Sequence, residues 1–345
     1  MALLTAATGW PPDTVPPLPD SDDATGRTTL TSGGAPYELS VSTGTRPAAP
    51  APLSYVLDLG TGQPNRAARL GVQRRALAAW AQRAEGGESA TALAALLTDL
   101  VDVTLPGPDG LAAGAEFLTW LGAAHHPNRP AHIAALKVYL CLEAAEGALR
   151  RVAQRWPIVA SLAGLFPPDL ARPFAVSFTA RVGALPGTAQ TVTLYRPVAP
   201  GYEHQALETA ATTLGAAGVS DALTGLGLGR LVWRGPMVLT TRCLLDPRAG
   251  PDGCPPDLAG LRFGVDLNAE SFPADALAWS RRATEVFHGD TRAVDRLLAA
   301  VSGPDAPRPA GTSPQSWGVT WIGVESPAGA AIDRLSVYVA PHRAA

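Results

Sequence analysis

Five times along this chain, two stretches of alternating apolar and polar side chains follow one another across a short, turn-rich break. Period-two alternation marks a strand that buries one face only. The paired stretches run at 36–43 and 53–60, 116–123 and 133–143, 173–183 and 189–197, 236–246 and 260–268, and 316–325 and 334–340. Breaks such as Ala184-Leu185-Pro186-Gly187 and Pro247-Arg248-Ala249-Gly250 suit turns. Between the pairs lie stretches with helical spacing, at 67–83, 89–100, 145–154, 204–216, 274–283 and 292–301. The unit is therefore helix, helix, strand, strand, at a spacing of about 55–80 residues, longer than the usual solenoid period. Ten antiparallel strands of this kind close into a barrel whose apolar faces pack outward on helices and whose polar faces line the lumen. The expected fold class is α+β: a ten-stranded antiparallel barrel of repeated α-α-β-β units with an outer helix ring and a polar, ligand-binding lumen. This inverts the commoner small barrel, which fills its centre with apolar side chains. A polar lumen therefore needs a functional reason.

The polar faces say what that reason involves. In Leu136-Lys137-Val138-Tyr139-Leu140-Cys141-Leu142 the leucines and Val138 take one face, and Lys137, Tyr139 and Cys141 the other. Lys137 is the only lysine among 27 lysines and arginines. A basic group in mid-strand is costly in a packed core and points to an enclosed polar surface that handles negative charge. A solvated lysine on an edge strand is the plain alternative. The pattern recurs at Glu38, Ser40 and Ser42, at Thr191, Thr193 and Tyr195, at Arg262, Gly264 and Asp266, and in 334–339. The cations on polar faces are Lys137, Arg181, Arg242, Arg262 and Arg334; the tyrosines are Tyr139, Tyr195 and Tyr338; the acids are Glu38, Asp58 and Asp266. Several cations converging among few acids would bind a compact polyanion, such as a diphosphate, with no metal. Tyrosines beside them would shield a carbocation, and one carboxylate opposite could act as a general base. For Arg181 and Arg242 above all, the alternative is a guanidinium facing solvent at a strand end.

Composition narrows the rest. At 46% apolar and 17% charged the chain has ample material for one large core, and a net charge of −3 leaves no basic footprint for nucleic acid. No apolar run approaches a membrane span, and Met1 to Trp10 lacks the features of a signal peptide. Three scattered cysteines, Cys141, Cys243 and Cys254, suit a reducing cytoplasm, the expected location. Residues 1–26, rich in proline and carrying Asp20-Ser21-Asp22-Asp23, read as a poorly ordered arm ahead of a single barrel domain over 27–345. The expected state is a monomer or weak homodimer. No glycine-rich phosphate loop is present, and Gly225-Leu226-Gly227-Leu228-Gly229 lacks the strand-then-helix setting of a dinucleotide site. His125, His126 and His132 have no acidic or thiol partner at ligand spacing and read as a turn between strands. The Asp20–Asp23 run has neither the spacing nor the helical setting of an acidic metal–diphosphate motif, so no metal is expected.

Three segments resemble the dimethylallyltryptophan-synthase-like, ABBA-type aromatic prenyltransferases, bacterial members included. The segment from Arg27 through Pro36-Tyr37-Glu38-Leu39-Ser40 resembles the family's turn, proline and glutamate. Leu136-Lys137-Val138-Tyr139-Leu140 is similar to its lysine-x-tyrosine strand, and Leu335-Ser336-Val337-Tyr338-Val339-Ala340-Pro341 to its closing strand. The family's sixth strand carries Arg-x-Lys-x-Tyr; here Thr191 and Thr193 precede Tyr195, and Ser54 stands where a diphosphate-binding arginine often begins the second strand. The resemblance implies a ten-stranded barrel and metal-independent transfer of a dimethylallyl group from dimethylallyl diphosphate to an aromatic ring, foremost the indole of tryptophan or a tryptophan-containing compound. It implies Glu38 as the catalytic carboxylate and Lys137 as a diphosphate ligand, to which the polar strand faces add Arg262, Arg334, Arg181 and Arg242. Tyr139, Tyr195 and Tyr338 become the cation shield. A peptide or phenol acceptor on the same fold, and a non-catalytic barrel carrying a small anion, are the alternatives.

Overall fold

The computed structural model describes residues 28, 30, 37–44, 53–84, 87–105, 107, 110–112, 117–126, 129–182, 191–225, 236–245, 260–269, 276–288, 291–302 and 316–342. The arm expected over 1–26 lies outside them, as do the glycine run beyond Gly225 and the side chains of His126 and His132. Ten strands are present: β1 (Tyr37–Gly44), β2 (Leu53–Leu57), β3 (Thr119–His126), β4 (Arg129–Cys141), β5 (Ala175–Arg181), β6 (Thr191–Pro197), β7 (Met237–Leu244), β8 (Leu261–Asn268), β9 (Ser316–Pro327) and β10 (Arg334–His342). Eight helices lie among the described residues: α1 (Arg66–Ala84), α2 (Gly87–Thr104), α3 (Ala148–Arg155), α4 (Pro157–Ala163), α5 (Glu203–Leu214), α6 (Ala217–Gly225), α7 (Ala276–His288) and α8 (Arg292–Ser302). Two helices thus precede each strand pair from the second onward, as the repeat predicts. The short α4 and α6 escape the sequence reading: proline opens α4, a favoured first helical position, and Gly215 separates α5 from α6.

The strands close in the order β1-β10-β9-β8-β7-β6-β5-β4-β3-β2, with antiparallel pairing at every seam, including β1 with β10. Closure leaves no sheet edge. It also separates two kinds of connection. The links within pairs emerge at one end of the barrel, and those that run through helices at the other. We call these the hairpin end and the crossover end.

Leu39 and Val41 of β1, Val138 and Leu140 of β4, Val176 and Phe178 of β5, and Phe263 and Val265 of β8 are buried in one continuous apolar layer between barrel and helices. Each such side chain contributes about 1.5–3 kcal/mol when fully buried. The helices answer with the expected spacing: Ala206, Leu207, Ala210 and Leu214 on α5 are buried, as are Val294, Leu297 and Leu298 on α8. After Leu214 the chain turns at Gly215, whose φ of 63° is left-handed and whose Cα faces Gly329 so closely that a Cβ would come within 3.1 Å. The outward face also carries a charge. Arg196 of β6 is fully buried, donates to Thr241 Oγ1 (2.9 Å) and to the Leu162 carbonyl, and lies over the Phe166 ring at 5.3 Å. Burial lowers its pKa to about 9.

The strands also correct two readings. His125 is not in a turn: β3 runs through it, and its buried ring stacks on Tyr55 at 5.5 Å. Asp58 is not on a strand face, because β2 ends at Leu57. Its buried carboxylate is held by Arg69 of α1, by Thr28 and by the Trp120 indole N–H at 3.2 Å.

Candidate active site

Alternation turns the polar side chains inward, and register decides their height in the lumen. At the hairpin end, Arg242 of β7 stands opposite Arg262 of β8, and Arg334 of β10 opposite Glu325 of β9. The Glu325 carboxylate gathers all three guanidiniums. Arg262 Nε donates to one oxygen; Arg242 Nη1 lies 3.1 Å and Arg334 Nη1 4.0 Å from the other. Arg262 also pairs with Asp333, Arg334 donates to Ser42 Oγ (3.1 Å), and Arg242 to Thr193 Oγ1 (3.3 Å). Burial alone would push the Glu325 carboxyl up, but the arginines outweigh it and hold the group below the usual carboxylate range. Burial and the neighbouring Arg242 lower the Arg334 guanidinium.

Lys137 of β4 sits between this cluster and the aromatic half of the lumen. Its Nζ donates to the Tyr195 hydroxyl at 2.7 Å and lies 4.4 Å from the Tyr139 ring centroid and 5.5 Å from that of Tyr195. Burial lowers its pKa, with Arg242 and Arg334 acting in the same direction. A compact ammonium at this height faces both halves of the lumen.

Toward the crossover end the lumen opens into a cavity of about 420 Å³ walled by Trp120, Tyr139, Tyr195, Trp321 and Tyr338, with Glu38 and Asp266 in its lining. The Tyr139 and Tyr195 rings lie 5.6 Å apart, and Trp120 is 6.1 Å from Tyr139. Trp120 is fixed from behind: Phe117 stacks on it at 3.8 Å, and its N–H is the one bonded to Asp58. Burial raises Tyr139 and Tyr338 well above the ordinary phenol value, so both walls are neutral.

A bulge shapes the opposite wall. Tyr338 pairs with Trp321 but Val339 with Val319, which leaves Thr320 unpaired on β9. The extra residue lets two adjacent side chains serve the lumen: Trp321 lines the cavity while Thr320 donates to Glu38 Oε1. Among the described residues, no cation pairs with Glu38. Burial raises its pKa to about 8, against the Thr320 hydrogen bond, and the Asp266 carboxyl adds to the rise. Asp266 is raised to about 6, by burial first, with Lys137 opposing. Asp266 lies over Gly323, directly across the β8–β9 seam, where a Cβ would collide with its Oδ1.

The expected site residues thus fall into place unevenly. Glu38, Tyr139, Tyr195 and Tyr338 line one cavity. Arg242, Arg262 and Arg334 form one cluster, and Lys137 joins the two. Arg181 does not join them: it stands exposed at the end of β5. The expectation of few acids is also corrected, since Glu325 and Asp333 pair with the arginines. Asp266 is on the polar face as read but takes a place in the cavity that the sequence left unassigned. Glu325, Trp321 and Trp120 went unrecognised. Their signal was present: Trp321-Ile322-Gly323-Val324-Glu325 alternates like its partners, and extending the face assignment to this strand would have placed both residues. Thr320 had no such signal, because a bulge breaks the period.

Among the described residues, no group of three or more His, Cys, Asp or Glu is placed to hold a metal ion, and no helix is long and apolar enough to cross a membrane.

No family model matches this chain, and no curated protein sequence does. Solved structures do. The 6-dimethylallyltryptophan synthase from Micromonospora olivasterospora, in complex with DMASPP and Trp, aligns with a TM-score of 0.68 at 20% identity, over 98% of this chain and 94% of that one. The 5-dimethylallyltryptophan synthase from Streptomyces coelicolor gives 0.68 at 16% identity, again over 98% and 94%. PriB, in a binary complex with product diphosphate, gives 0.62 at 18% identity over 99% and 91%. The chain therefore shares, over nearly its full length, the barrel fold of the ABBA aromatic prenyltransferases.

Proposed function

We propose that this protein is a metal-independent aromatic prenyltransferase. The observation that carries the reading is the division of one lumen into a cationic end and an aromatic-walled cavity, with Lys137 at the join. In this reading the diphosphate of an allylic donor, dimethylallyl diphosphate foremost, sits against Lys137, Arg242, Arg262 and Arg334. Its prenyl chain extends toward Tyr139, Tyr195 and Tyr338. Cleavage of the C1–O bond leaves an allyl cation and diphosphate. The four cations hold the leaving group as its charge grows, and the neutral ring faces stabilise the cation and exclude water. The acceptor ring occupies the 420 Å³ cavity, a volume that suits an indole, and attacks the cation. Glu38 orients the acceptor and takes its proton. With a pKa raised to about 8, Glu38 is largely protonated at neutral pH, so turnover rises with pH as it ionises. Asp266, ionised at lower pH, is the second carboxylate within the cavity.

Tryptophan, or a compound containing it, is the acceptor we favour, supported by the Trp-bound neighbour of the same fold. The test is incubation with dimethylallyl diphosphate and tryptophan in the presence of excess chelator. A product heavier by one C5 unit is the expected result. Release of diphosphate with a peptide or phenol acceptor in place of tryptophan would move the acceptor assignment. No donor turnover with any acceptor would leave a carrier of a small anion.

A further inference from the structure

The hairpin end contains something an anion-binding site does not need: an anion of its own. Glu325 places one carboxylate among the three arginines, with its side chain only 12% exposed. Asp333, the other acid there, is 31% exposed at the turn before β10 and, among the described residues, pairs with Arg262 alone. The two are not equivalent. Asp333 touches one guanidinium from the rim, whereas Glu325 sits where three guanidinium forks converge, and converging forks are the geometry that binds a phosphate group. The charges also fit. Lys137, Arg242, Arg262 and Arg334 supply four positive charges; Glu325 and Asp333 remove two, and Asp266, with a pKa raised to about 6 and facing Lys137, removes a third at neutral pH; one remains. A diphosphate brings more negative charge than that balance accommodates while Glu325 stays in place.

We propose that Glu325 is a built-in counter-anion that occupies the diphosphate seat when the lumen is empty and gives up its arginines when diphosphate binds, so that it sets the affinity for the donor. The proposal rests on the prenyl-donor reading above and names a specificity-determining residue within it. Three half-buried guanidiniums around an empty point would repel one another, and an internal carboxylate relieves that cost. The same carboxylate must then be displaced, and the free energy of displacement is subtracted from donor binding. The arginines keep Glu325 ionised despite its burial, so it competes as a full charge. Strong donor binding would be traded for an arginine cluster that stays assembled in the empty protein.

The test uses inorganic pyrophosphate, without metal or acceptor, titrated into the wild-type protein and into Glu325→Gln by calorimetry. Glutamine keeps the shape and the hydrogen-bonding oxygen but removes the charge. The expected result is at least tenfold tighter pyrophosphate binding in the variant, with the gain shrinking as salt is raised. The thermal shift produced by pyrophosphate is likewise larger in the variant than in the wild type. Glu325→Ala carries the same expectation, so loss of folding in one substitution leaves the other. A variant recovered folded only with pyrophosphate also supports the exchange. If the wild type binds pyrophosphate and the folded variants bind no more tightly, the proposal falls while the donor-site reading stands; Glu325 then organises the arginines for the donor. If no form binds pyrophosphate, both fall. Variants that fold neither alone nor with pyrophosphate overturn the proposal too, because the carboxylate is then needed in a way diphosphate cannot replace.

Discussion

Glu38 and Glu325 are the same residue type, face the same lumen and are buried to nearly the same degree, 6% and 9% exposed. Their carboxyls nevertheless move in opposite directions. Burial lifts Glu38 to about 8, with only a threonine hydroxyl to oppose it; three arginines hold Glu325 below its ordinary value. Burial alone therefore predicts the direction at Glu38 and fails at Glu325. What separates them is height in the barrel. The hairpin end collects guanidiniums and keeps its acid ionised. The crossover end collects rings and raises the pKa of both its acids, Glu38 further than Asp266. A lumen graded in this way can bind an ionised group at one end and manage a proton at the other.

The largest effect that would break this contrast is expected at Glu38. Replacement by Gln should lower turnover by about 10²–10⁴-fold, the usual worth of a positioned base, while pyrophosphate affinity stays near wild type. Near-normal turnover would remove Glu38 from the proton step and turn attention to Asp266. At the join, Lys137→Ala should weaken donor binding by about 2–5 kcal/mol, the cost of truncating one partner of a buried charge pair, with acceptor binding changed much less. Lys137→Arg need not restore it, since a planar fork does not replace a compact ammonium. An unchanged donor dissociation constant in the alanine variant would show that the ammonium serves only Tyr195.

Stability against pH sharpens the contrast further. The raised Glu38 carboxyl favours folding most fully below its ordinary value of 4.5, and that contribution is lost as pH rises toward about 8. Asp266 acts with the same sign, between 3.8 and about 6. Glu325, held low, contributes stability above its ordinary value and loses it as pH falls below. Melting curves from pH 4 to 9 should therefore show Glu38→Gln flattening the alkaline decline and Glu325→Gln flattening the acid one, each by several degrees, on the order of 2–4 °C per kcal/mol. Arg181→Ala should change donor affinity and stability little, within about 0.5 kcal/mol for stability, because it is an exposed strand-end residue. The smallest expected effect is that of chelation: excess EDTA should leave turnover unchanged, and a loss restored by Mg²⁺ would overturn donor binding by side chains alone.

The barrel itself was legible because period two is a property of the backbone: each strand with one apolar face declares that face in its own sequence, as 136–142 does. The cation cluster was legible for the same reason, residue by residue. What alternation cannot show is which lumen residues meet. Arg181 and Arg242 carry equal weight in sequence, yet one ends exposed and the other beside Glu325, because strand stagger sets height and no single strand encodes it. The pairing of Glu325 with arginines on β7, β8 and β10 is likewise a property of the closed sheet. Thr320 was hidden by the bulge that makes it useful, and Asp58 by its place just past a strand end, where it braces Trp120.

The seam between β1 and β10 joins Ser40 to Tyr338 and Gly44 to Arg334, partners separated by most of the sequence. Such a contact closes a loop that spans most of the chain, an entropic cost that grows slowly with loop length. Arg334 and Tyr338 belong to the strand that closes it, so the diphosphate seat and the cation shield are both incomplete in a growing chain until that strand has left the ribosome. A product truncated ahead of Arg334 would lack a residue from each end of the site at once and would expose β1 and β9 as unpaired edges, open to pairing with its own copies.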